Sequence, residues 1–92
     1  MSRATRFDIE FYLSENQDVA DALFNGTLES SIKHFELFGV GELRAPNDLF
    51  SPVFYLEKNS DVADAVESGI FDNSFLHYQL FGERENRAPS IS

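Results

Sequence analysis

Residues 11–22 read Phe-Tyr-Leu-Ser-Glu-Asn-Gln-Asp-Val-Ala-Asp-Ala, and residues 54–65 read Phe-Tyr-Leu-Glu-Lys-Asn-Ser-Asp-Val-Ala-Asp-Ala. Working outward from this pair, a shift of 43 positions aligns residues 7–47 with residues 50–90 without a gap, and 20 of the 41 aligned pairs are identical. A gapless match keeps loop lengths as well as core positions. One supersecondary unit is therefore expected twice, as repeat one (7–47) and repeat two (50–90), with Asp48 and Leu49 as the seam.

Each unit is punctuated as short helices. Asp8 and Ser51 stand where an N-cap belongs, and Pro52 suits a first helical position because its missing N–H has no partner there. Phe7 and Phe11, like Phe50 and Phe54, are four apart and are expected to share the buried face, with Leu13 and Leu56 close by. Asn16 and Asn59 read as a break and a new cap. Asp18 and Asp61 then fall in the first turn of a second helix, where the helix dipole favours a carboxylate. Val19, Ala22 and Leu23, matched by Val62, Ala65 and Val66, give that helix its apolar stripe, and Gly26 and Gly69 close it. A third helix begins near Ser30 and Ser31, or Asn73 and Ser74. It carries Ile32, Phe35 and Phe38, or Phe75, Tyr78 and Phe81, and is expected to stop at Gly39 or Gly82. Pro46 and Pro89 leave residues 42–46 and 85–89 extended or turning. No stretch alternates like a strand. The expected fold class is all-α: two gapless 43-residue repeats of about three short helices each, packed on one aromatic core.

The chain of 92 residues is the size of a single domain, read here as 1–92. Helices this short do not stand alone in water, so packing must hold them, and the ten Phe and three Tyr are the material for it. Open solenoids usually need three or more units. Two units are thus expected to dock about a pseudo-twofold, or to leave an end open for another copy. Sixteen acids against seven bases give a net charge of -9, which repels phosphate backbones and anionic lipid and argues against nucleic acid or a membrane surface as partner. Without cysteine there is no disulfide, thiolate metal site or cysteine nucleophile. No apolar run approaches the roughly 20 residues that span a bilayer, so no membrane insertion is expected. The start through Arg6 is basic like a signal peptide, but Asp8 and Glu10 follow where an apolar stretch should begin, so no Sec signal is read. That leaves a cytoplasmic protein, one exported without an N-terminal signal, or a piece of a longer chain.

Phe11-Tyr12-Leu13, Asn16-Gln17-Asp18-Val19-Ala20, Gly26, His34-Phe35, Phe38-Gly39 and Glu42-Leu43-Arg44-Ala45-Pro46 resemble a bacterial repeat. Its pattern is aromatic-Tyr-Leu, Asn-Pro-Asp-Val-Ala, His-aromatic, Phe-Gly and Glu-Gly-Arg-x-Pro, and the second copy here fits equally well. The resemblance covers residues 7–90. It implies an accessory module of the kind found in large secreted or surface proteins, often cyanobacterial, with haemolysin-type calcium-binding repeats, and in chains carrying glycosyltransferase domains. It brings no catalytic residue. Two departures stand out: Gln17 and Ser60 replace the family's Pro, and Leu43 and Asn86 replace its Gly. A left-handed turn at the latter is harder for Leu43 than for Asn86.

Six residues that survive the shift carry chemistry: Arg44 and Arg87, Asp18 and Asp61, His34 and His77. The arginines are expected to form fork-type pairs with Asp18 and Asp61 or to meet carbonyls at a helix end, with a partner's carboxylate as the alternative. Each histidine lies on the apolar third helix and is expected to be packed against a backbone or carboxylate partner. Asp18 with Asp21, and Asp61 with Asp64, are weak candidates for calcium, since three-residue spacing puts both carboxylates on one helical face. They lack the ligand rhythm of an EF-hand loop. Ser31 and His34 resemble a nucleophile and base but have no orienting acid or oxyanion hole in view, so the expectation is a non-enzyme. The functional reading is a protein-interaction or structural repeat module binding another protein or a copy of itself. The alternative is a calcium-dependent or carbohydrate-associated accessory module.

Overall fold

Asp8 starts the first helix: its carboxylate accepts the Phe11 N–H at 3.0 Å, satisfying one of the orphan donors of the first turn. In this computed structural model, which describes residues 3–91, a 3₁₀ turn (Arg3–Thr5) leads into α1 (Ile9–Glu15) and α2 (Gln17–Phe24). Met1, Ser2 and Ser92, the ends of the expected 1–92 domain, lie outside the described residues. Gly26, at φ 79°, turns the chain after α2, and the Thr27 and Leu28 amides fold back onto the Ala22 carbonyl. Ser30 caps α3 (Ser31–His34), which runs straight into a π-helical turn (Phe35–Gly39). The second set follows the same order: α4 (Pro52–Lys58) capped by Ser51, α5 (Ser60–Glu67), and α6 (Ser74–His77) capped by Asn73, continued by a second π-helical turn (Tyr78–Gly82). The fold is all-α. The one β-like contact among the described residues is an isolated bridge between Asn47 and Phe50.

Each helical triplet is tied end to start. Pro46 O accepts the Asp8 amide, and Pro89 O accepts the Ser51 amide, both at 2.9 Å. Between them the rings form one continuous cluster. Phe7, Tyr12 and Phe35 pack together in the first triplet, Phe50, Tyr55 and Tyr78 in the second, and Phe35 meets Phe75 edge-on at 5.8 Å across the two. Edge-on contact sets the positive rim of one ring against the negative face of the next.

Several expectations about individual residues need correcting. The side chain most buried in α1 is Tyr12, and in α4 Tyr55; Phe11 and Phe54, the expected core positions, are half-buried. In a seven-residue helix the period does not fix which of two adjacent aromatics points inward. Gly39 and Gly82 do not stop their helices by a left-handed turn. They sit within the π-helical turns, and a Cβ on either would collide with the hydroxyl of Tyr12 or Tyr55. The left-handed turn comes four residues later, at Leu43 and Asn86, both at φ 58°, so Leu43 takes the conformation that its side chain disfavours. Of the third-helix apolar residues, Ile32 and Phe38 are exposed while Phe35 is buried.

Asn47, just before the expected seam, joins the triplets. It is buried, and all four of its hydrogen bonds are made: Nδ2 donates to Ala4 O (3.0 Å) and Arg6 O (2.7 Å), and Oδ1 accepts the Leu49 and Phe50 amides (2.8 and 2.9 Å). Gln79 Nε2 adds a bond to Thr5 O at 2.8 Å, so the N-terminal segment is gripped by both triplets.

Candidate functional site

The left-handed turn at Leu43 sends Arg44 back over the start of α2, with its own amide bonded to Gly39 O at 2.9 Å. There the guanidinium forks onto Asp18, Nη1 to Oδ1 at 2.9 Å and Nη2 to Oδ2 at 2.8 Å, while Nη1 also donates to Asn16 Oδ1 and Nε to Glu42 Oε1. Arg87 does the same through the Asn86 turn: Nη1 and Nη2 take the two oxygens of Asp61 at 3.0 and 2.9 Å, and Asn59 and Glu85 complete the set. A planar donor fork on a carboxylate is the strongest geometry such a pair has. The hydrogen bond from Arg44 holds the Asp18 carboxyl down to about 2, and Arg87 lowers Asp61 in the same way. Each guanidinium is in turn pushed further up by its carboxylate.

Asn16 and Asn59 occupy the expected cap position, but neither side chain caps its helix. Nδ2 reaches back to the carbonyl of Tyr12 or Tyr55 (2.7 and 2.8 Å), which leaves Oδ1 for the arginine. The asparagine thereby links the end of one helix to the arginine clamp.

His34 and His77 are satisfied by a different partner from the one expected. The Tyr12 hydroxyl lies 2.9 Å from His34 Nδ1, and the Tyr55 hydroxyl 2.8 Å from His77 Nδ1. Burial pushes the Tyr12 phenol up, the Tyr55 phenol up to about 12, and the His77 imidazole down. Both shifts favour the neutral forms of Tyr55 and His77, so the bond joins an uncharged phenol to an uncharged imidazole. Each hydroxyl sits against Gly39 or Gly82, so tyrosine, histidine and glycine form one contact set spanning the first and third helices.

The structure does not assemble the remaining candidates into a site. Asp18 is engaged by Arg44, and Asp21 accepts from Gln17 Nε2 at 2.9 Å. Among the described residues no group of three His, Cys, Asp or Glu side chains converges as a metal site. Ser31 and Ser74 are buried at the starts of α3 and α6, with the imidazole Nδ1 turned toward the phenol. Among the described residues no helix is long and apolar enough to cross a membrane. An open cleft of about 460 Å³ lies between the triplets, with Ile32, Glu36 and Val40 on one side and Phe75, Leu76 and Gln79 on the other.

No family model, curated protein or solved structure matches the chain.

Sequence reading missed Tyr12, Tyr55 and Asn47 as determinants. For the tyrosines a signal was present, since Tyr12, His34 and Gly39 all recur after 43 residues, as would be required of residues in mutual contact. Asn47 has Ser90 as its counterpart and so carries no such mark.

Proposed function

We propose that the chain is a non-enzymatic interaction or structural module, built to present a helical surface to another protein or to a copy of itself. One observation carries the reading. The six residues that survive the shift and carry chemistry, Arg44, Arg87, Asp18, Asp61, His34 and His77, are each engaged by a side chain within the same repeat. The side chains left facing solvent include large apolar ones: Phe24 is 85% exposed, Ile70 75% and Leu37 71%. Large exposed apolar side chains that lie together mark protein-interaction sites. The resemblance to accessory repeats of secreted bacterial proteins supports the same reading.

The competing account, a calcium-dependent accessory module, requires Asp18 and Asp61 to leave their arginines for the cation. Heating the protein at neutral pH with and without millimolar calcium separates the two. An interaction module melts at the same temperature in both, whereas a rise of several degrees means that the folded state binds calcium and overturns the reading.

A further inference from the structure

Leu28 and Phe71 are equivalent under the 43-residue shift, yet only Phe71 carries a ring. That ring stands edge-on to both His77 (5.0 Å, 80°) and Phe81 (5.7 Å, 82°). In the first triplet the matching pair, His34 and Phe38, keeps nearly the same spacing, 5.6 Å against 5.8 Å. Leu28 does not fill the place of the missing ring, and a cleft of about 290 Å³ opens among Leu28, Lys33, His34, Leu37 and Phe38. The cleft is open to solvent, and Thr27, Glu29 and Ser30 complete its lining. The effect reaches the histidines: His77 is buried while His34 is half-buried.

The same triplet also carries an unaccommodated ring. Phe24, the last residue of α2, is 85% exposed, and its counterpart in the second triplet is Glu67. The ring-sized cleft and the spare ring both belong to the first triplet, within residues 24–38. We propose that the Phe24 ring of a second copy enters the cleft beside His34 and Phe38, as Phe71 does within the second triplet, and that twofold symmetry returns the contact. This rests on the reading of the chain as an interaction module and names its partner.

Charge at the cleft is balanced, since Lys33 and Glu29 both line it and pair at 3.9 Å, so the rim itself does not repel the approach of Asp21, one turn before Phe24 on the incoming helix. The net charge of -9 opposes the approach of two copies, so added salt strengthens the association. Two buried rings and the walls they cover amount to roughly 800 Å², below the ~1,200 Å² at which stable interfaces begin, so the dimer is weak and reversible.

Sedimentation equilibrium from tens of micromolar to millimolar, at physiological and raised salt, tests the exchange with four samples: the wild type, Phe24→Ala, Leu28→Phe and an equimolar mixture of the two variants. The wild type should shift from monomer toward dimer with concentration, more so at high salt, and each variant should stay monomeric. The mixture should recover part of the association, because it retains one ring and one open cleft. Leu28→Phe fills the cleft from within and should melt no lower than wild type, so its loss of association is not unfolding. A wild type that stays monomeric at millimolar concentration, a variant that associates as wild type does, or a mixture that recovers nothing overturns the exchange. None of these results bears on the calcium melting experiment, by which the module reading stands or falls.

Discussion

The two triplets share their polar connections almost atom for atom and differ in how their apolar surface is filled. Arg44 with Asp18 and Arg87 with Asp61, Tyr12 with His34 and Tyr55 with His77, agree to about 0.1 Å in their bond lengths. Around them the second triplet is better covered. Phe75 is 5% exposed where Ile32 is 42%, Pro52 is buried where Ile9 is exposed, and Phe71 covers His77 where Leu28 leaves His34 half open. The contrast separates two kinds of position. The clamps join helices that are too short to persist without them, so they require particular residue types in particular geometry. The apolar rim tolerates change in size.

The largest expected effect breaks the comparison at the join. Asn47→Ala removes two donated and two accepted bonds from a buried position. We expect a loss of about 3 kcal/mol in urea denaturation, and a loss under ~0.5 kcal/mol would show that Asn47 does not hold the triplets together.

Removing the phenol hydroxyls asks whether equal bond lengths mean equal contributions. Tyr55→Phe strands Nδ1 of the buried His77 and should cost about 2 kcal/mol, whereas Tyr12→Phe, beside the half-buried His34, should cost about 1 kcal/mol. Equal losses would contradict the stated dependence on burial.

Phe71→Leu gives the second triplet the packing of the first. It should cost about 1 kcal/mol and raise the titration midpoint of His77, read by NMR, because the ring that excludes water from the imidazole is gone. An unmoved midpoint would mean that Phe71 does not desolvate the histidine.

The smallest effect is one of pH. His77 titrates below its ordinary 6.5 in the folded protein, so between those two values the unfolded chain holds more protons and stability rises with pH. The contribution is full above about 6.5 and is lost as the pH falls through the folded midpoint. His77→Gln should flatten that slope in denaturation curves recorded from pH 7 to pH 5, and an unchanged slope would assign it to other groups.

Much of this arrangement was legible in the sequence because its causes are local. Asp8 and Ser51 accept amides only three residues further on, those of Phe11 and Phe54, and Gly26 closes a turn within one loop. The Arg44 to Asp18 pair was reachable because Arg44 and Asp18 are both retained after 43 residues amid an excess of acid. What escaped depends on contacts distant in the chain. Gly39 looks like a helix stop in sequence, and its actual cause is the Tyr12 hydroxyl, 27 positions away. Asn47 carries no mark of the repeat, and its partners Ala4 and Arg6 are more than 40 residues upstream. Leu43 replaces the resembling repeat's Gly yet keeps its left-handed φ, and the turn it makes brings Arg44 to Asp18.

The central claim is that the shared arginines, carboxylates and histidines hold the fold from within. It is tested most directly by following the Asp18 and Asp61 carboxyl carbons by NMR from neutral to strongly acidic pH, with and without calcium. The account expects Asp18 to titrate at about 2, Asp61 below its ordinary 3.8, and both signals to be unmoved by calcium at neutral pH. An ordinary midpoint for either carboxylate, or a calcium-dependent shift of both, would mean that these groups are free to bind and would contradict it.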